Sequence, residues 1–326
     1  MSPSLIPSLT PTLADSLIRL GQWLQTGGYH FVTVTPATHA RVNARPESGL
    51  ARNLRDVFGW SRPFAADLLP AAVLDWLREA GLLEPVHREG VARWRSRVRF
   101  SSLGGQLYAH SAYPTGDADA VFFGPDTYRF AALIEAELAA QPLAAGARIL
   151  DMGCGAGPGG ITAALAARQA APQLVLADIN PRALAFSQAN VRLAGLDAVT
   201  FAEGDLYAAL DGSFDLIVAN PPYLVDAAAR IYRHGGGALG SGLSGRIVAE
   251  GLPRLATGGR LLLYTGAAIV QGVDPFFTSM QALLHGLDWP FRYVELDPDV
   301  FGEELDAPAY AHAERIAAVA LRLQKP

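Results

Sequence analysis

Residues Phe214 to Tyr223 read FDLIVANPPY: an apolar run containing Phe214, Leu216, Ile217 and Val218, closed by Asn220, Pro221, Pro222 and Tyr223. Unbroken apolarity with β-branched residues is the pattern of a strand covered on both faces, as in a parallel sheet flanked by helices. Two successive prolines fix φ and remove two donors, so the chain has to leave the sheet at Asn220. The resulting corner carries an Asn amide and backbone carbonyls that no sheet ladder claims.

Outward from this stretch, strands are expected at Arg148 to Met152, Gln173 to Asp178, Val199 to Glu203, Arg260 to Thr265, Phe291 to Leu296 and Ile316 to Leu323. Helices are expected at Arg129 to Gln141, Gly160 to Arg168, Pro181 to Ala194, Leu243 to Ala256 and around Phe276 to Gly286. Such alternation predicts an α/β, doubly wound, Rossmann-like sheet of seven mostly parallel strands. Upstream, helical spacing over Leu13 to Gln25, Leu50 to Phe58 and Leu68 to Ala80, with a short strand at His30 to Thr35, predicts a smaller N-terminal module. The turn-rich stretch AYPTGDADAVFFGPDT from Ala112 sets the boundary, giving a module over 1–112 and the sheet domain over 113–326.

Arg93, Arg95, Arg97 and Arg99 alternate with Trp94, Ser96, Val98 and Phe100, which in one strand puts four guanidinium groups on one face. Helices followed by a basic hairpin turning at Gly104-Gly105 resemble a winged helix, so this face is a candidate phosphate or nucleic-acid contact. The net charge of -5 opposes a surface built as a whole for nucleic acid. One cysteine, Cys154, excludes an internal disulfide, and no Cys/His spacing suggests a metal. The N-terminal MSPSLIPSLTPTLADSL lacks the basic and apolar regions of a secretion signal, and no run approaches about 18 apolar residues. A cytoplasmic protein without membrane attachment is expected.

Ile149 to Gly160, ILDMGCGAGPGG, is a strand end turning through glycines into a helix, a geometry that lets the backbone approach a ligand and aims amide donors at it. Asp178 ends the next strand, where a carboxylate can accept ribose hydroxyls, and Asp205 ends the loop after the third, where it can accept from an adenine amino group. Gly155, Gly157 and Gly160 with Asp178 also satisfy the dinucleotide fingerprint, so a dehydrogenase is a competing reading. Cys154 fits as a small packing residue in the loop. Gly235 to Gly237 and Gly240 to Gly245 suggest a mobile lid, and the acidic segment DPDVFGEELD, Asp297 to Asp306, reads as a solvated loop.

ILDMGCGAG, VLADINPRAL, EGDLY and FDLIVANPPY, in this order and spacing, closely resemble class I S-adenosylmethionine-dependent methyltransferases of the NPPY branch. Within that branch the chain is similar to protein-glutamine N5-methyltransferases, with FFGPDT (Phe122 to Thr127) and GALGSGLSGRIV (Gly237 to Val248) as further likenesses. The resemblance implies S-adenosyl-L-methionine as cofactor, held by Asp151, Gly153, Cys154, Gly155, Gly157, Asp178, Ile179, Asp205, Leu206 and Asn220. It implies a methyl acceptor at Asn220, Pro221, Pro222 and Tyr223, most readily a glutamine side-chain amide of a protein substrate. RNA or DNA adenine, with the four arginines on phosphates, is the alternative acceptor, and a small-molecule biosynthetic reaction is another. A scaffold that holds the cofactor without turnover is the non-enzymatic rival.

Overall fold

The computed structural model describes residues 12–88, 90–114 and 116–326, so the residues expected to lack a secretion signal lie largely outside it. The chain divides into two compact units, one of Met1–Pro114 with Gln188–Ala194 and one of Thr115–Ser187 with Gly195–Pro326.

In the first unit Thr12 caps helix α1 (Leu13–Thr26) through a reciprocal box with Asp15, and Gly27 ends it. Helices α2 (Pro36–Asn43), α3 (Leu54–Phe58) and α4 (Ala71–Glu79) follow, each entered through a residue with extended backbone: Thr35, Asn53 and Pro70. His30 to Thr35 forms no strand; it meets Ser102 through the Ser102 N–H to Phe31 carbonyl bond (2.7 Å) and the Phe31 N–H to Ser102 Oγ bond (3.3 Å). Strand β1 (Leu83–Arg88) pairs antiparallel with β2 (Val91–Ser96), and β3 (Val98–Leu103) with β4 (Gln106–Ser111).

The arginine face expected from alternation is therefore corrected. Ser96 Oγ turns the corner by donating to the Val98 carbonyl (2.8 Å) and accepting from its N–H (3.2 Å), so β2 stops and the register restarts after Arg97. Arg99 is turned inward, 4% exposed, with its guanidinium 5.4 Å from the Phe31 ring centre. Arg95 pairs with Glu84 across the β1–β2 ladder at 3.2 Å. What remains is Arg93 and Arg95 on one short ribbon, not four cations in a row.

The second unit contains α5 (Pro125–Ala140), β5 (Arg148–Met152), α6 (Pro158–Ala166), β6 (Gln173–Asp178), α7 (Pro181–Leu193), β7 (Val199–Glu203) and β8 (Phe214–Ala219). Then come α8 (Gly242–Gly251), β9 (Leu255–Val270), α9 (Pro275–Leu284), β10 (Phe291–Asp297) and β11 (Ala313–Gln324). Helix α7 contributes its last turns to the first unit's residue set. The seven strands form one sheet ordered β10-β11-β9-β8-β5-β6-β7, with β11 antiparallel to both neighbours. This is the expected doubly wound sheet, and its strand positions match the apolar runs.

Two-sided burial explains those runs: Phe214, Leu216, Ile217 and Val218 are all 0% exposed. Ile217 joins Leu150, Leu261, Leu263 and Val319 in a core completed by Ile247 of α8 and Met280 of α9. Alternate residues Ile149, Leu216 and Leu262 are buried on the other face. A fully buried side chain of this size contributes about 1.5–3 kcal/mol over an exposed one. Glu137 fastens α5 to the sheet by accepting from Arg260 and Arg322, each at 2.9 Å. The chain runs β5, β6, β7 in one direction and β8, β9 in the other, which puts the switch point between β5 and β8. Ligands of such sheets bind there, beyond the carboxyl ends of the strands.

Candidate functional site

A cavity of about 260 Å³ opens at this switch point. It is lined by Asp151, Gly153, Cys154 and Gly155 from the end of β5, Asp178 and Ile179 from β6, Asp205 and Leu206 after β7, and Asn220 to Tyr223 after β8. Gly157 alone of the expected residues lies outside it. Its φ of +82° starts α6, and a Cβ there would meet Ser187 at 3.2 Å and Ile161 at 3.3 Å, so it is a packing glycine.

The glycine loop is not an amide cradle. Gly153 and Cys154 donate to the Ala177 carbonyl (2.9 and 3.0 Å), Gly155 to Asp178 Oδ2 (2.8 Å), Gly157 to the Cys154 carbonyl (2.7 Å) and Gly160 to Asp151 Oδ2 (2.7 Å). These donors are consumed within the chain, two of them by the carboxylates of Asp151 and Asp178. The geometry therefore opposes the dehydrogenase reading, which needs free amides at this turn. What the loop offers is bare backbone: Gly153 (φ +69°) and Gly155 (φ +53°) have nothing within 4 Å of where a Cβ would stand.

Burial governs the titration of the groups here. It raises the Asp151 carboxyl to about 7, helped by nearby Asp178 and opposed by the Gly160 N–H. Burial likewise raises Asp178, against the backbone donors of Asn180, Gly155 and Ile179, and pushes the Cys154 thiol well above its ordinary range. A thiol so held is a packing group rather than a nucleophile. Asp178 Oδ1 accepts from Asn180 (2.9 Å) and Oδ2 from Gly155 (2.8 Å), and a carboxylate with about four lone-pair sites keeps acceptor capacity beyond these backbone donors. Asp205 is largely exposed and engages Arg246 at 3.1 Å, a partner that its place in the sequence does not announce. Leu206, beside it, sits at φ +48°, a left-handed backbone unusual for a branched side chain.

At the other end, Asn220 projects from the end of β8, and among the described residues neither its side-chain amide nor the Pro221 carbonyl has a hydrogen-bond partner. Tyr223 is fixed by a neighbour that sequence reasoning passed over. Its hydroxyl donates to Asp126 Oδ2 (2.6 Å), while Asp126 Oδ1 accepts from Tyr264 (2.8 Å) and Arg129 (3.2 Å). Burial raises the Asp126 carboxyl and, with that carboxylate alongside, lifts the Tyr223 phenol well above its usual range, so the phenol stays a donor. The FFGPDT stretch was the available signal: Gly124 caps α5, which brings Asp126 into its buried first turn. The ring of Tyr223 lies against Gly266, where a Cβ would approach it to 2.3 Å.

The expected lid is corrected as well. Gly235 donates to the Leu224 carbonyl (2.9 Å), and a Cβ on Gly240 would stand 2.2 Å from the Tyr223 carbonyl oxygen. These glycines let one backbone lie directly on another behind the NPPY corner, so the segment is a packed support. The acidic segment is not a solvated loop either. Asp297 pairs with Arg129 (2.7 Å), Glu304 with Arg233, and Phe301 between them lines the cavity. Phe122, Ile231 and Arg233 also line it, and none was expected there. Among the described residues no helix is long and apolar enough to cross a membrane.

Residues 131–269 match the methyltransferase small domain family. The chain is 33% identical over 231 residues to a release factor glutamine methyltransferase of Deinococcus radiodurans, spanning 66% of this chain and 76% of that protein. It is 37% identical over 109 residues to the ribosomal RNA small subunit methyltransferase C of Salmonella arizonae, a match that spans only 32% of this chain and 31% of that one. Among solved structures, the complex of aTrm5 with tRNALeu superposes with a TM-score of 0.50 at 13% identity, covering 100% of this chain and 82% of that one, a likeness of fold alone.

Proposed function

The chain belongs to the class I S-adenosylmethionine-dependent methyltransferases, with a likeness to the protein-glutamine enzymes, and on that premise we propose that it methylates the side-chain amide nitrogen of a glutamine in a protein substrate. The observation that carries this reading is the corner itself: an unpartnered Asn220 amide and Pro221 carbonyl beside a Tyr223 ring locked by Asp126.

The cavity fits the cofactor. Gly153 and Gly155 leave room for a ligand against bare backbone, Asp178 has acceptor capacity for a diol, and Ile179, 55% exposed, offers an apolar face for a flat base. S-adenosylmethionine, when bound, would supply a methyl group whose carbon a nitrogen lone pair can attack, the S–CH3 bond breaking to leave a neutral thioether and the nitrogen giving up one N–H proton to solvent. The chain's task is to make an amide nitrogen act as that nucleophile, although its lone pair is delocalised into the carbonyl. Asn220 Oδ1 and the Pro221 carbonyl accept its two N–H bonds, Pro222 fixes the corner, and Tyr223 covers one face of the amide plane. Holding the acceptor in this way is positioning, which can supply on the order of 7–11 kcal/mol toward the barrier. The N-terminal unit is proposed to choose the protein substrate, in the cytoplasm.

A second reading, adenine in RNA as acceptor, draws on the ribosomal RNA relative. The loss of the four-arginine face weakens it, since phosphate contacts dominate nucleic-acid affinity. Labelled S-adenosylmethionine incubated with cell extract, then separated into protein, RNA and small molecules, tests the proposal. Label in glutamine of the protein fraction is the expected result; label confined to RNA, with binding that weakens steeply with salt, transfers the assignment to RNA, and base analysis of that label then tests adenine.

A further inference from the structure

The acceptor end of the cavity has a wall that comes from outside the matched family region. Phe301 lies between β10 and β11, well beyond residue 269, and its ring meets Tyr223 edge to face, with centres 5.8 Å apart and planes at 68°. Its backbone has φ +56° and ψ +40°, the left-handed region, where a bulky aromatic is an outlier. Glycine follows at Gly302, so a chain that merely needed a turn here could have placed its glycine one residue earlier. Strain of this kind persists where the surroundings hold it, and it points to a use for the side chain.

The surroundings do hold it. Asp297 is pinned to Arg129 at 2.7 Å, Val300 donates to the Ile316 carbonyl at 2.8 Å, and Glu304 is paired with Arg233. Arg129 is shared: its other nitrogen reaches Asp126, the carboxylate that orients Tyr223. One guanidinium thus joins the carboxylate that orients Tyr223 to the start of the segment that carries Phe301. Two of the segment's five acidic residues, Asp297 and Glu304, fasten it on either side of Phe301, whose ring is presented to the cavity.

We propose that Phe301 is a specificity-determining residue of the methyl transfer: its ring narrows the acceptor end beside Tyr223, admitting an amide on a slender aliphatic stem and excluding a fused heteroaromatic amine. This rests on the amide reading given above. The left-handed backbone supplies an unusual control, because Phe301→Gly removes the ring while relieving the strained φ, and thermal melting separates a loss of selectivity from unfolding.

The experiment compares wild type, Phe301→Gly and Phe301→Tyr with two probes, an alanine-flanked glutamine peptide and an adenosine oligonucleotide, alongside calorimetric titration of S-adenosylmethionine and thermal melting. Expected for Phe301→Gly is a melting temperature at or above that of wild type and an unchanged cofactor affinity. The ratio of kcat/KM for peptide over oligonucleotide should fall about tenfold, the scale of one lost aromatic contact. Phe301→Tyr should restore most of that ratio. A ratio unchanged in Phe301→Gly, with the wild type active on the peptide, overturns the inference and leaves the amide reading standing. A wild type that methylates the oligonucleotide only, or neither probe, overturns the amide reading and this inference together.

Discussion

Asn220 and Asp178 line one cavity from the ends of different strands and should fail in opposite ways. Asn220→Ala is expected to lower methyl transfer about 10²–10³-fold, the effect of losing one preorganised polar partner, with calorimetric cofactor affinity nearly unchanged. Asp178→Ala should instead weaken cofactor binding by roughly 10- to 100-fold, as for a hydrogen bond to a charged group. Equal losses of affinity in both variants would show that the two ends are not separable. Asp151 gives a pH signature. Its carboxyl rises from 3.8 to about 7 on folding, so the folded state binds the extra proton between these values. Its contribution is most favourable below about pH 4 and is lost as pH climbs to 7, by up to about 4 kcal/mol. Thermal melts of Asp151→Asn across that window should show a flatter profile than wild type; parallel profiles contradict the shift. Both terminal residues are legible in sequence because each closes an apolar run. Phe301 is not, and Asp126 is signalled only by the FFGPDT stretch, since the importance of both lies in their meeting Tyr223 from distant parts of the chain.

Elements sharpen the same point. β9 carries Tyr264 and Gly266 two residues apart, hence on one face: the first donates to Asp126 and the second leaves room for the Tyr223 ring. Gly266→Ala would drive a methyl into that ring, which is expected to destabilise the protein by about 1–3 kcal/mol and lower methyl transfer more than cofactor binding. Denaturant titration and single-turnover kinetics read the two effects, and a variant with wild-type turnover would show that the ring position is not critical. The strands of the sheet were readable because two-sided burial writes itself as continuous apolarity. The arginine strand was misread because alternation assumes an unbroken register, and Ser96 breaks it. Within 235–245 composition cannot single out Gly235 and Gly240, the glycines whose backbone is pressed most closely against another.

At the scale of the whole molecule, the net charge is -5, and the inward turn of Arg99 leaves the four-arginine row expected from alternation broken among the described residues. Fold class followed from patterning alone, whereas substrate choice depends on surfaces that patterning does not describe. One feature of the site reaches beyond its chemistry. Ile179 at 55%, Ile231 at 46% and Phe122 at 36% are large apolar side chains left in contact with water, and all three line the same cavity. A ligand that covers them removes apolar surface from water, so S-adenosylmethionine binding should carry a negative heat-capacity change. Its enthalpy, measured by titration at several temperatures, is then expected to become steadily more exothermic on warming. Ile179→Ser should shallow that slope, which makes the temperature dependence of binding a gauge of how much of the apolar floor the cofactor covers.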